Sequence, residues 1–233
     1  FVFQFATGGG DSGTLTVSNL KLEQLSCDGL VRTWYDQSVT DQGGGTATGN
    51  HAVQTTAANQ PKIVSSGALL AGTNGKPEID FIRTDSGNGP SLVASSVSGL
   101  VGSLSLISLC EKDTNFATSV SLSNSSDAAK YFAIREESTS DVLSRNTTEV
   151  SADASVTGDQ RLTFGVTTGD TSTKSGSLGN ALVENTGDYG DDFGSGDLDQ
   201  ILIGALRSVF AADHFDGGIQ EILVYASDQT DNR

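Results

Sequence analysis

Five aspartates, Asp188, Asp191, Asp192, Asp197 and Asp199, crowd a glycine-punctuated stretch that opens Gly187-Asp188-Tyr189-Gly190-Asp191-Asp192. Calcium collects roughly six to eight oxygen ligands, and carboxylates on such loops supply them. Asp188, Asp191 and Asp192 are therefore candidate Ca²⁺ ligands, and Tyr189 among them is a candidate ligand-contacting aromatic. The spacing matches neither the EF-hand loop nor another rigid template, so a solvated acidic loop is the competing reading.

Aromatic side chains offer a second chemistry. Trp34, the sole tryptophan, and Tyr35 could each stack on a sugar ring. Neighbours on a strand point to opposite faces, so at most one of them faces a given site. Trp34 is the candidate contact, against the reading that one ring fills the core and the other packs under a Gly-rich loop. Asp36 follows where the strand ends. A carboxylate there is either a ligand or a turn former that accepts backbone N–H bonds, and the second is favoured.

Glu221 shares its strand parity with Ile219 and Leu223. A glycosidase needs two carboxylates about 5–10 Å apart across a sugar, and no spacing here identifies a partner. A buried or rim Glu221 paired with Arg83 or Arg207 is the plainer expectation. His51 and His214 lack metal-ligand spacing, and no nucleophile elbow, phosphate-binding loop or Cys-x-x-Cys occurs. The assignment is accordingly non-enzymatic.

A net charge of −16 argues against nucleic acid, whose phosphates require clustered Lys and Arg. It argues equally against anionic membrane surfaces. No apolar run is long enough to insert as a transmembrane helix. The two cysteines, Cys27 and Cys110, are too few for a disulfide framework, and each reads as a small packed group at a strand end, with a Cys27–Cys110 bridge the alternative.

The elements that must position these residues are strands. Gly is abundant (28 residues) and Pro scarce (3), so turns rest on Gly, Asn and Asp. No segment holds a helical apolar period. Strands are expected over residues 30–35, 51–54, 62–64, 77–82, 104–110, 120–122, 131–135, 142–145, 162–166, 180–184, 198–205 and 215–226. Residues 104–110 are apolar on both parities and should form a central strand covered on both faces. Pro61 confines its segment to an edge or a strand start. Residues 1–28 form a unit of their own, with Phe1, Phe3 and Phe5 alternating, Leu15 and Val17 on one parity, and Leu20 and Leu22 on the other. Such a strand pair cannot stand alone. It either completes the domain that follows or closes one upstream.

The phrase Trp34-Tyr35-Asp36-Gln37-Ser38, with Gly49-Asn50-His51-Ala52-Val53-Gln54 and Gln60-Pro61, resembles the concanavalin A-like, laminin-G-type jelly rolls. So does Phe215-Asp216-Gly217-Gly218-Ile219-Gln220-Glu221-Ile222-Leu223-Val224-Tyr225, which looks like that fold's closing strand. Similar phrases occur in bacteriophage tail-fibre and virion-appendage proteins, surface adhesins and the catalytic domain of certain arabinofuranosidases. The resemblance implies an all-β, two-sheet antiparallel jelly-roll sandwich over residues 29–233. Residues 1–28 would be the end of an upstream jelly-roll module. Its implied role is structural and recognition work at a virion surface or outside the cell. The partners would be a cell-surface glycan or other virion subunits, in a homotrimer as fibre proteins commonly are. Ca²⁺ at a sheet rim is the cofactor it allows. A glycoside hydrolase of arabinofuranosidase type and a Ca²⁺-stabilised bacterial adhesin are the alternatives. The interposed residues 39–48, with Gly43-Gly44-Gly45, depart from the family phrase.

Overall fold

The computed structural model describes residues 27–38, 49–83, 89–100, 102–114, 117–127, 130–136, 141–145, 148–153, 160–168, 172–178, 182–188, 198–206 and 214–229. The strand pair expected before Cys27 and the insertion at residues 39–48 lie outside these residues. In chain order the strands are β1 (Gly29–Leu30), β2 (Thr33–Trp34), β3 (Ala52–Val53), β4 (Lys62–Ser65), β5 (Ala68–Leu69), β6 (Ile79–Phe81), β7 (Leu92–Leu100), β8 (Ser103–Lys112) and β9 (Ala117–Ser123). They continue as β10 (Tyr131–Glu136), β11 (Asp141–Arg145), β12 (Thr148–Asp153), β13 (Gln160–Thr168), β14 (Ser172–Leu178), β15 (Leu182–Asp188), β16 (Leu198–Ile203) and β17 (Gly217–Tyr225). The sole helical element among the described residues is the 3-10 turn Ala57–Asn59, so no helix is long and apolar enough to cross a membrane.

Two antiparallel sheets form a sandwich, as the composition and resemblance imply. The first runs β1-β4-β6-β17-β8-β13-β14-β15, with β5 hydrogen-bonded to β4, and the second runs β12-β11-β10-β9-β16-β7-β3-β2. Phe81, Leu92, Leu104, Leu106, Val120, Leu122, Phe132, Ile134, Leu198 and Phe215 fill the space between them with no exposed surface. Phe81 and Phe215 meet edge to face at 6.5 Å, an arrangement aromatic quadrupoles favour. Gly204 makes room for that pair. Its φ is +79°, and a Cβ placed on it would lie 2.3 Å from the Phe81 ring.

Four local expectations need correction. Residues 30–35 are not one strand: β1 joins the first sheet and β2 the second, the chain crossing between sheets at Val31 and Arg32. The crossing is held by Val31 N donating to Pro61 O (2.8 Å) and Gln54 N donating to Arg32 O (2.9 Å). Strand β8 is central but not sealed on both faces, since Ile107 and Leu109 remain partly exposed while Leu104, Leu106 and Cys110 are buried. Strand β7 lies in a stretch where no strand was expected. A register shift against β16 breaks its alternation, so the buried positions fall at Leu92, Ala94, Val97 and Leu100. Both cysteines are free, with Cys110 buried and Cys27 exposed rather than packed.

Candidate functional site

Strands β2 and β3 pair as Thr33↔Val53 and Trp34↔Ala52, which brings the two ends of a long excursion together. Asp36 ties those ends. Its Oδ1 accepts from Ser38 N (2.8 Å) and Ser38 Oγ (2.6 Å), and its Oδ2 accepts from Asn50 N (3.0 Å). The backbone N–H of Asp36 donates to His51 Nδ1 at 3.1 Å. The Ser38 hydroxyl, followed by the two backbone donors, holds the Asp36 carboxyl below its ordinary range. Asp36 is thus a loop organiser, the role its place at a strand end suggested.

Trp34 and Tyr35 both border one cleft, so the expectation that at most one faces a given site does not hold: β2 ends at Trp34, and strand alternation does not extend to Tyr35. Trp34 is half-buried and packs against the sandwich core. Tyr35 is 61% exposed, its ring edge-on to His51 with centroids 5.1 Å apart. Gln37 Nε2 donates to Tyr35 O at 3.0 Å, which further fixes the loop.

Below the loop lies a cleft of about 790 Å³. Trp34, Ala52, Ala94, Val97, Leu100, Ile201 and Ile203 from the second sheet form its apolar wall. Ile222 and Val224 from β17 form the facing wall, and Asp36, Gln37, Ser38, Asn50, Asn74, Lys76 and Gln220 form a polar rim. The far rim is itself rigid. Asn74 and Gln220 exchange amide hydrogen bonds at 3.0 Å each way, and Gln220 Nε2 also donates to Lys76 O (3.2 Å).

Glu221 lines the same cleft, exposed at its rim, the second of the two placements expected, and Arg207 lies outside the described residues. A β-bulge between Ile219 and Glu221 adds one residue and reverses the alternation. Ile219, Ile222 and Val224 consequently face the core, while Glu221 and Tyr225 are exposed.

Sequence reasoning missed an acidic cluster on the first sheet. Glu78 just before β6, Asp80 within it, Glu111 from β8, and Asp113 and Asp216 nearby converge across strands far apart in the chain. Glu78 is wedged between glycines, as a Cβ on Gly218 would lie 2.2 Å from its Oε2 and one on Gly72 2.5 Å. That Oε2 is buried without a hydrogen-bond partner. Burial, then the charges of Glu111, Asp80 and Asp113, push Glu78 up to about 7. Burial, then Asp113 and Asp216, push Asp80 up to about 6.

The acidic loop is placed only in part. Asp188 ends β15, while Tyr189, Asp191, Asp192 and Asp197 lie outside the described residues. Asp199 is committed elsewhere, accepting from Ser125 N (2.7 Å) and Ser125 Oγ (2.6 Å). Among the described residues no three His, Cys, Asp or Glu side chains gather to hold a metal.

No protein-family model matches the chain, and no curated protein sequence does so. Solved structures do. Domain 4 of AbnA, a GH43 extracellular arabinanase from Geobacillus stearothermophilus solved with arabinotriose, is similar at 16% identity and TM-score 0.50, over 69% of this chain and 75% of that one. The K499G mutant of NanB sialidase from Streptococcus pneumoniae is similar at 18% identity and TM-score 0.50, over 66% of this chain and 27% of that one. Mouse laminin alpha1 domains LG4-5 align over 81% of this chain and 53% of theirs, at 11% identity and TM-score 0.47. This chain therefore spans only about a quarter of the sialidase. At these identities the first two likenesses concern the sandwich fold.

Proposed function

We propose that this chain is a non-enzymatic carbohydrate-recognition module, binding sugar at the rim of the cleft. The observation that carries the reading is Tyr35, an exposed ring edge-on to His51 on a braced loop, with Gln37, Ser38 and Asn50 on the same cleft rim. A sugar offers a stacking face and a belt of hydroxyls, and an apolar ring with nearby hydrogen-bonding groups is complementary to both. Trp34, half-buried at the same cleft, is the second aromatic available to a ligand. The arabinotriose-bound arabinanase domain shares this fold, which is consistent with the reading. The setting we assign is a phage virion appendage or other extracellular surface, on the resemblance of the Trp34–Ser38 phrase. There a trimer and neighbouring subunits are the expected company.

Titration of the chain against arrayed glycans, then calorimetry on the best ligand, tests this. Tyr35→Ala should weaken binding at least ~10-fold, about 1.4 kcal/mol, with an unchanged circular dichroism spectrum. Unchanged affinity in that variant would remove the rim site. Hydrolysis of chromogenic arabinosides that disappears in Glu221→Gln would replace binding with glycosidase chemistry. Antibody labelling of purified phage particles decides the virion setting.

A further inference from the structure

Where the β2–β3 ladder stops at Trp34↔Ala52, two side-chain bonds carry the connection on. The Asp36 backbone N–H donates to His51 Nδ1 at 3.1 Å, and the Asn50 backbone N–H donates to Asp36 Oδ2 at 3.0 Å. A backbone N–H can only donate. His51 Nδ1 is therefore bare in this arrangement, and the neutral ring carries its proton on Nε2. The ring is also closely seated. A Cβ placed on Gly49 would lie 2.7 Å from His51 Cε1 and 3.1 Å from Nδ1, so the imidazole rests against bare glycine backbone. Tyr35 meets the same ring edge-on, with centroids 5.1 Å apart.

Histidine is the side chain whose ordinary titration falls between about pH 5 and 8. A proton on Nδ1 would set two donors head to head across 3.1 Å, and the Asp36 N–H would lose its acceptor. Among the described residues, the titratable groups facing His51 are the Asp36 carboxyl and the Tyr35 phenol, and Gly49 and Asn50 add none. Phenols ordinarily ionise only near pH ~10, so Tyr35 plays no part in this window. The Asp36 carboxylate attracts an imidazolium, yet its oxygens already hold Ser38 N, Ser38 Oγ and Asn50 N. The new N–H must displace one of these or turn to solvent. In both cases the bond that fixes the ring over Gly49 is gone.

We propose that His51 is a proton-operated latch: neutral, it holds Tyr35 in its presented position, and protonated, it frees the Tyr35 loop and weakens sugar binding in mild acid. The last step rests on the reading of Tyr35 as the sugar platform, and the latch itself does not. Such a module holds its glycan near neutrality and releases it near pH ~5.

Titration of the intact chain by heteronuclear NMR, from about pH 7.5 to about pH 5, tests this. That window stays above the range in which Asp36 takes up a proton, because Ser38 and Asn50 hold its carboxyl low. Glu78 and Asp80 titrate inside the window but are retained in His51→Asn, whose side-chain oxygen can replace Nδ1 as acceptor and gains no proton. At neutrality the His51 ring should show a bare Nδ1, and the Asp36 amide signal should move with the ring as it titrates. In His51→Asn that amide should stay in place. Affinity for the best glycan should fall ~10-fold or more across the window in the native chain, and less than ~2-fold in the variant. A proton on Nδ1 at neutrality, or an Asp36 amide that ignores the titration of His51, overturns the latch even if the variant fails to fold. An opened latch with unchanged affinity overturns its control of binding. Absence of glycan binding at either pH sinks the sugar reading instead, and the amide titration still judges the latch.

Discussion

Asp36 and Asn50 are joined by a 3.0 Å hydrogen bond from the Asn50 backbone N–H to the Asp36 carboxylate, across fourteen positions of sequence. With the β2–β3 pairing, the bond draws the two ends of the excursion together beside Tyr35.

Asp36→Ala therefore removes three acceptor contacts at once. We expect a loss of about 1–2 kcal/mol, given the part exposure of the site, read as a fall in Tm of about 2–8 °C. Asp36→Asn, which keeps one carbonyl acceptor, should lose less. Thermal unfolding followed by circular dichroism measures both.

Stability should fall as pH rises from about 4 to about 7. Glu78 and Asp80 ionise at about 7 and about 6 in the fold, above their ordinary values of 4.5 and 3.8. The unfolded chain releases those protons first, so the penalty grows through this window and is complete above it. Asp28 and Asp36 act oppositely: their lowered values stabilise the fold above the ordinary carboxylate pKa and cease to do so in stronger acid. Urea melts across pH should show a maximum in the mildly acidic range. Glu78→Gln should flatten the descending limb and raise Tm at pH 8 by about 2–4 °C, with little change at pH 5.

Gly204→Ala should cost about 2–4 kcal/mol, combining a positive φ with a clash against buried Phe81. Phe81→Leu in the same chain should cost less than it does alone, because it relieves that clash. A double-mutant cycle in urea gives the coupling.

The native chain should present one thiol to a thiol-reactive dye, from exposed Cys27, and two after unfolding, when Cys110 is released. Rapid reaction of both in native buffer would contradict the burial of Cys110.

The sandwich was legible in the residues because it rests on alternation and turn chemistry, which are local. Ile79 and Phe81 on one face and Pro61 at a strand start emerged as read. Bulges were not legible. One extra residue after Ile219 moved Glu221 away from its apparent apolar neighbours, and a register shift hid β7. The split of residues 30–35 between sheets was equally hidden, since a two-residue crossing leaves no compositional trace. The cluster of Glu78, Asp80, Glu111, Asp113 and Asp216 depends on strand order, and periodicity does not specify which strands become neighbours. That Trp34 and Tyr35 would border one cleft was not legible either, because β2 ends at Trp34 and strand alternation stops applying there.

The position of Cys27 opposite Gly67, near the end of the sheet where β17 finishes, has a practical consequence. The described fold starts and stops on the same side, so a short tether from Gln229 back to Cys27 should close it into a ring. The ring could be reopened at Gly102, a turn glycine with φ +72° and open space around it. Such a rearranged chain would carry the Tyr35 loop unchanged and place its new termini beside Tyr225, because β8 starts opposite that residue.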